Sequence, residues 1–209
     1  MPHGSVSQNG RTDITVGSGP SAVVLAGSLG GMHAMLDVLA GLPGQLPAAI
    51  VISLHRAARR GRDHLPDVLA LRSKLPVSTL TTVDTLEPGR VHVLPPGTAL
   101  ASVDGGVLAP RLPAEGWRTA DPTMTAAAGR YGAACIGVVV SGRLDDGADG
   151  SRSIKRAGGR VIVQDPADAV AHGMPTAALA TGSVDLVVPL RRVAPALVSL
   201  VMPQAAPIS

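Results

Sequence analysis

The sequence predicts an α/β protein with a doubly wound, mainly parallel sheet, helices on both faces and an antiparallel β-hairpin at one edge. Three observations lead there. Short β-branched runs alternate with Ala/Leu-rich stretches of helical period, which implies right-handed strand–helix–strand crossovers. Four of the strand candidates are continuous apolar runs, the pattern of parallel strands covered on both faces. Residues 90–110, RVHVLPPGTALASVDGGVLAP, break the rhythm with PPG and DGG turn signals between short alternating runs, which predicts the hairpin.

In chain order, residues 1–20 are rich in Gly, Ser and polar side chains and carry no period, so they read as a flexible tail. The strands expected next are AVVLAG (22–27), AAIVISL (48–54), VSTLTTV (77–83), CIGVVVSG (135–142), RVIVQD (160–165) and DLVVPL (185–190). Between them the helical pattern covers 31–41, 63–73, 121–131, 147–157 and 174–181, with a last helix at 192–202. No internal repeat and no interdomain linker interrupts this series. A single domain over 21–202 and a C-terminal tail at 203–209 follow.

Composition narrows the function classes. Of the chain's residues, 45% are hydrophobic and 16% charged, a globular balance. With no Phe, one Trp and one Tyr, the core must be filled by Ala, Val, Leu and Ile. The net charge is +3, and the densest basic stretch, HRAARRGR (55–62), carries Arg59, Arg60 and Arg62 with no interleaved aromatic. That excludes the usual nucleic-acid surface, leaving a solvated loop or contact with an acidic partner. Cys135, the only cysteine, sits in the apolar run AACIGVVV as a buried small hydrophobe, so no intrachain disulfide can form. No His/Asp/Glu set has metal-ligand spacing, and no metal or cofactor is expected. No apolar run approaches the roughly 18 residues of a membrane span, and the N-terminus lacks a signal layout. A soluble cytoplasmic protein is the expectation.

Ligands of open parallel sheets bind at the carboxyl ends of strands, so polar residues just after strands are the informative ones. Ser28 follows the first, His55 the second, and Asp145 and Asp146 follow the 135–142 run. Ser28 lies in Ala-Gly-Ser-Leu-Gly, a strand-to-helix turn like a nucleophile elbow, with a helix N-terminus facing the same space. A merely structural turn remains the alternative. A dinucleotide loop does not fit, because its second glycine is Leu29, and no Gly-Lys-Ser/Thr follows for a phosphate loop. His55 comes 27 residues after Ser28, one strand–helix–strand unit, which can bring both to one rim. Asp146 alone would be read as a helix N-cap. The three together match the logic of a hydrolytic triad.

These residues carry a family resemblance. AGSLGG (26–31), SLHR (53–56), SGRLDDG (141–147) and HGMP (172–175) are similar, in order, to the Gly-Ala-Ser-Thr-Gly-Gly, Gln-His-Met-Pro, Thr-Gly-Met-Gly-x-Asp-Gly and Phe-Gly-Met-Pro segments of the chemotaxis protein-glutamate methylesterases, CheB type. EPGRVHVLPPG (87–97), AAGRYGAACIGVVVSG (127–142) and AGGRVIVQDP (158–166) also resemble that family. The resemblance implies Ser28 as nucleophile, His55 as base and Asp146, the aspartate directly before Gly147, as triad carboxylate. Leu29, Gly142 and Arg143 would border the oxyanion. The implied reaction is hydrolysis of glutamyl methyl esters on chemoreceptor helices to glutamate and methanol, with glutamine deamidation in some members. Arg59, Arg60 and Arg62, beginning at the rim beside His55, would meet the acidic receptor helix. Departures cluster around the triad. Leu29 replaces Thr, Arg56-Ala57 replaces Met-Pro, Arg143-Leu144 replaces Met-Gly, His172 replaces Phe, and RTADP (118–122) stands for Arg-Pro-Ser-Val-Asp. Only about 20 residues precede the first strand, so the phospho-receiver domain usual in the family is not expected. The alternatives are a non-catalytic interaction module of the same fold, an esterase with another substrate, and a nucleotide-binding protein using the Gly30-Gly31 helix start.

Overall fold

The chain runs from β1 (Ser21–Gly27) through α1 (Gly31–Gly41) to β2 (Ala48–Leu54), then α2 (Leu65–Ala70), β3 (Val77–Thr79) and β4 (Val91–Val93). A hairpin of β5 (Ala99–Val103) and β6 (Val107–Arg111) leads to α3 (Ala120–Tyr131), β7 (Cys135–Val139) and α4 (Ala148–Arg156). The series closes with β8 (Arg160–Gln164), α5 (Gly173–Ala180), β9 (Leu186–Val188) and α6 (Leu190–Val201). This computed structural model describes residues 21–57, 61–81, 86–103 and 107–202. The predicted tails at 1–20 and 203–209, together with Arg59 and Arg60, lie outside the described residues.

Seven strands form one sheet in the order β3-β4-β2-β1-β7-β8-β9. Every pairing in it is parallel. The order reverses at β1, which pairs with β2 on one side and β7 on the other, so the switch point lies between the carboxyl ends of β1 and β7. Successive β1 residues point to opposite faces, and both faces are buried. Val23 and Leu25 join Met35, Leu39, Val193 and Leu197 under α1 and α6. Val24 and Ala26 join Met124, Ala127, Ile154 and Met174 under α3, α4 and α5. This double cover is why the run reads as continuously apolar. With Tyr131 the only Phe, Tyr or Trp ring packed against it among the described residues, the second layer closes by close approach. A Cβ at Gly137 would lie 2.7 Å from both Ile154 Cδ1 and Met124 Cε.

The hairpin differs from expectation in one respect. Its arms are β5 and β6, which form a two-stranded sheet of their own rather than an edge of the main sheet. Val91-His92-Val93, counted into the hairpin from sequence, is instead an inner parallel strand between β3 and β2, buried throughout. A three-residue strand is too short for alternation to distinguish the two arrangements. His92 therefore belongs to the core, where burial lowers its imidazole pKa and its Nε2 has no hydrogen-bond partner among the described residues.

Candidate active site

Register builds the site. Gly27 pairs with Leu54 at the end of the β1–β2 ladder, so Ser28 and His55 are the next step on neighbouring strands. The His55 amide donates to the Gly27 carbonyl at 2.9 Å and holds that step in place. Ser28 Oγ then stands 3.5 Å from His55 Nδ1. On the other side of β1 the Ser28 amide donates to the Ser141 carbonyl at 3.0 Å, extending the β1–β7 ladder beyond its last strand residue. Ser141 ties the rim together. Its hydroxyl donates to the Leu29 carbonyl at 2.7 Å and accepts from the Ala171 amide at 2.9 Å, while its own amide donates to Gln164 Oε1 at 2.9 Å.

Two glycines are required here. Gly30 has φ +76, and a Cβ on it would lie 2.6 Å from Ser141 Oγ and 2.8 Å from Val170 Cβ. At Gly142 a Cβ would lie 2.0 Å from Met174 Sδ and 3.1 Å from Ser28 Cβ. Leu144 shows the opposite situation. It holds φ 62 without being glycine, a conformation costing about 1–3 kcal/mol, and it is 66% exposed.

Asp146 is buried in the same rim, but its carboxylate faces a helix. Oδ2 accepts from the Thr119 and Ala120 amides at 2.8 and 2.9 Å, and Oδ1 from the Asp121 amide at 2.9 Å. Asp121 returns the arrangement, its Oδ1 accepting from the Gly147 and Gly150 amides, both at 2.8 Å. Asp146 thus caps α3, which carries Asp121 in its first turn, and Asp121 caps α4, which starts just after Asp146. Burial, opposed in part by the Gly150 amide, raises the Asp121 carboxyl above its ordinary pKa, and the Asp146 charge adds to the rise. Arg118 supplies the counter-charge. It pairs with Asp121 at 2.7 Å, with both Asp145 oxygens at 2.9 Å and with Glu115 at 2.9 Å, and its guanidinium lies 4.4 Å from the centre of the Trp117 ring.

Ser28 and His55 are brought together as the spacing predicts. Among the described residues no hydrogen bond joins Asp146 to His55. The link from Asp146 to β2 runs instead through Thr119, whose Oγ1 accepts from Ser53 Oγ at 3.4 Å. The Gly142 amide, expected as an oxyanion donor, is already given to the Ala171 carbonyl at 2.9 Å. The Leu29 and Arg143 amides make no hydrogen bond among the described residues. Arg62 is exposed and paired with Asp67 at 2.9 Å. It lines a cavity of about 590 Å³ that opens just beyond His55, together with Arg56, Asp63, His64 and Pro96. Arg56 itself is held by Asp63 and the Leu94 carbonyl. A second cavity, about 620 Å³ between β5 and α3, reaches this region only at Asp121. Arg118, Asp121 and Ser141 were visible in sequence only as parts of RTADP and SGRLDDG. Their roles depend on segments 25–30 residues or more away.

A doubly wound sheet with a serine–histidine pair beside its switch point defines the class: α/β proteins with a polar site at the strand carboxyl ends. Within that class the chain belongs to the CheB methylesterase family, whose profile matches residues 23–197. It is 38% identical over 196 residues to the protein-glutamate methylesterase/protein-glutamine glutaminase of Moorella thermoacetica, covering 88% of this chain and 45% of that protein. It is 35% identical over 184 residues to the protein-glutamate methylesterase FrzG of Myxococcus xanthus, covering 86% and 54%. The solved Thermotoga maritima CheB methylesterase catalytic domain superposes with a TM-score of 0.80 at 29% identity, covering 88% of this chain and all of that one. The chain spans about half the length of the curated relatives it matches.

Proposed function

We propose that the protein is a serine esterase that hydrolyses glutamyl methyl esters on the cytoplasmic helices of chemoreceptors, with deamidation of glutamine there as a companion reaction. The observation that carries this reading is the 3.5 Å approach of Ser28 Oγ to His55 Nδ1 in a chain of this family. With its proton on Nε2, the imidazole accepts the Ser28 hydroxyl proton at Nδ1 while Oγ attacks the ester carbonyl carbon. The Leu29 and Arg143 amides receive the oxyanion. The imidazolium returns its proton to the departing methoxide as methanol. His55 then takes a proton from water as the water oxygen attacks the acyl-serine. The imidazolium returns that proton to the departing Ser28 Oγ, releasing glutamate and restoring the hydroxyl and the neutral imidazole. Asp146, by accepting from the Thr119, Ala120 and Asp121 amides, fixes the start of α3 against the loop that leads from Ser141 to Gly147. The basic run from Arg59 to Arg62 meets the acidic receptor helix.

The test is methanol release from methylated receptor, paired with fluorophosphonate labelling. Wild type should release methanol and label at Ser28, and Ser28→Ala should lose both, with kcat falling by about three orders of magnitude or more. Wild-type protein that neither labels nor releases methanol would leave a non-catalytic interaction module.

A further inference from the structure

Leu144 is strained and uncovered at once. It occupies the left-handed region at φ 62 and is 66% exposed, so in the free protein neither backbone comfort nor apolar burial supports a leucine there. It is not alone. Leu29 is 48% exposed and Val170 79% exposed, and both belong to loops laced to the same rim. Ser141 Oγ holds the Leu29 carbonyl, and Gly30 packs against Val170. Gly173 approaches the Leu144 backbone so closely that a Cβ on it would lie 2.7 Å from the Leu144 nitrogen. Gly142, two residues before Leu144, faces Ser28. The three exposed apolar side chains therefore sit on the loops after β1, β7 and β8 that these contacts tie to the Ser28 rim. Arg143, the adjoining residue, is exposed and forms no ion pair among the described residues.

We propose that Leu144, with Leu29 and Val170, forms an apolar lip that selects an amphipathic helical substrate whose apolar residues flank the esterified glutamate. The lip rests on the esterase reading of Ser28 and adds to it a determinant of substrate choice. Apolar residues three and four positions from the ester share its helix face and can cover the lip while the ester enters the site. Covering Leu144 compensates for its backbone conformation only in the complex, where the strained leucine works as a recognition element.

The experiment uses two helical peptides, each with one glutamyl methyl ester, flanked at those positions by Leu in one and by Ser in the other. Wild type should show a KM about tenfold lower for the Leu-flanked peptide, the factor expected from burying much of a leucine side chain. Leu144→Gly should bring the two KM values to within about twofold without lowering Tm, and Leu144→Met should keep the preference. Dissociation constants measured with Ser28→Ala and with Ser28→Ala/Leu144→Gly repeat the comparison without turnover. A failed esterase reading, seen as no methanol and no labelling, is thereby separated from a failed lip. The lip is overturned if Leu144→Gly keeps the wild-type preference, if wild type has none, or if neither peptide binds. It is also overturned if Leu144→Gly lowers Tm and weakens both peptides equally, since Leu144 is then a folding residue.

Discussion

Arg143 is exposed beside Asp145, and two partners could have claimed its charge. Asp145, the acidic neighbour within reach in sequence, is taken by Arg118 through two contacts of 2.9 Å. That leaves the exposed Arg143 without an ion pair among the described residues, and a second carboxylate on an acidic substrate can meet it. Arg143→Met should raise KM several-fold for a methyl-ester peptide with a neighbouring glutamate and much less for one with glutamine there. Equal KM changes on both peptides would remove this role. At the other end of the polarity scale, His92 has an imidazole buried on β4 whose pKa burial lowers, against weaker opposition from Glu87 and with help from the Arg90 charge. Below the ordinary imidazole value of about 6.5 the unfolded chain takes up a proton that the folded one refuses, so stability is complete above that pH and declines as pH falls. Urea midpoints between about pH 7.5 and 5.5 should fall less steeply in His92→Gln than in wild type. Parallel pH curves would assign the loss to other groups.

Helices α3 and α4 hold each other by their N-termini. Asp146 satisfies three amides at the start of α3, Asp121 satisfies two at the start of α4, and Arg118 pairs with Asp121. A single cap is worth about 0.5–2 kcal/mol, and leaving a partner of a buried ion pair alone costs about 3–5 kcal/mol. Asp121 is nearly buried while Arg118 keeps some solvent, so Asp121→Ala should destabilise by about 2–4 kcal/mol in denaturant unfolding. The same change should loosen the 142–147 loop and lower kcat, although Asp121 touches neither Ser28 nor His55. A shift below about 0.5 kcal/mol would mean that water replaces the cap. Close helix packing over β7 works in the same direction, since Gly137 leaves room for Met124 and Ile154 to meet where a side chain would hold α3 and α4 apart.

For the whole molecule, the carboxyl-end rim collects the serine–histidine pair, an apolar lip and one end of the basic run on a chain of net charge +3. Exposed pairs such as Arg62–Asp67 contribute only about 0–1 kcal/mol each, so the basic run acts on association rate more than on final affinity. Raising salt from about 0.05 to 0.5 M shortens the Debye length from roughly 14 to 4 Å. Hydrolysis of an acidic receptor-derived substrate should slow several-fold over that range, while a small neutral ester should change little. Equal responses would show that the basic run does not meet the substrate.

What the sequence by itself determined is local or evenly spaced. The continuous apolar runs marked β1, β2, β7 and β8. The Gly-Ser turn marked the rim, and the 27-residue interval put Ser28 beside His55 because parallel strands joined by one helix repeat their register. The order of the four motifs carried the family. What only the tertiary structure decided involves pairs of distant segments. β4 is an inner strand because Val91–Val93 finds β2 and β3 on either side, a choice that three residues cannot encode alone. The Asp146 carboxylate settles on the α3 amides because that helix start lies against the loop, and Arg118 claims Asp145 because α3 and α4 pack side by side. A hydrogen-bond partner is chosen by proximity and direction in space, and a linear pattern specifies those only where the backbone repeats.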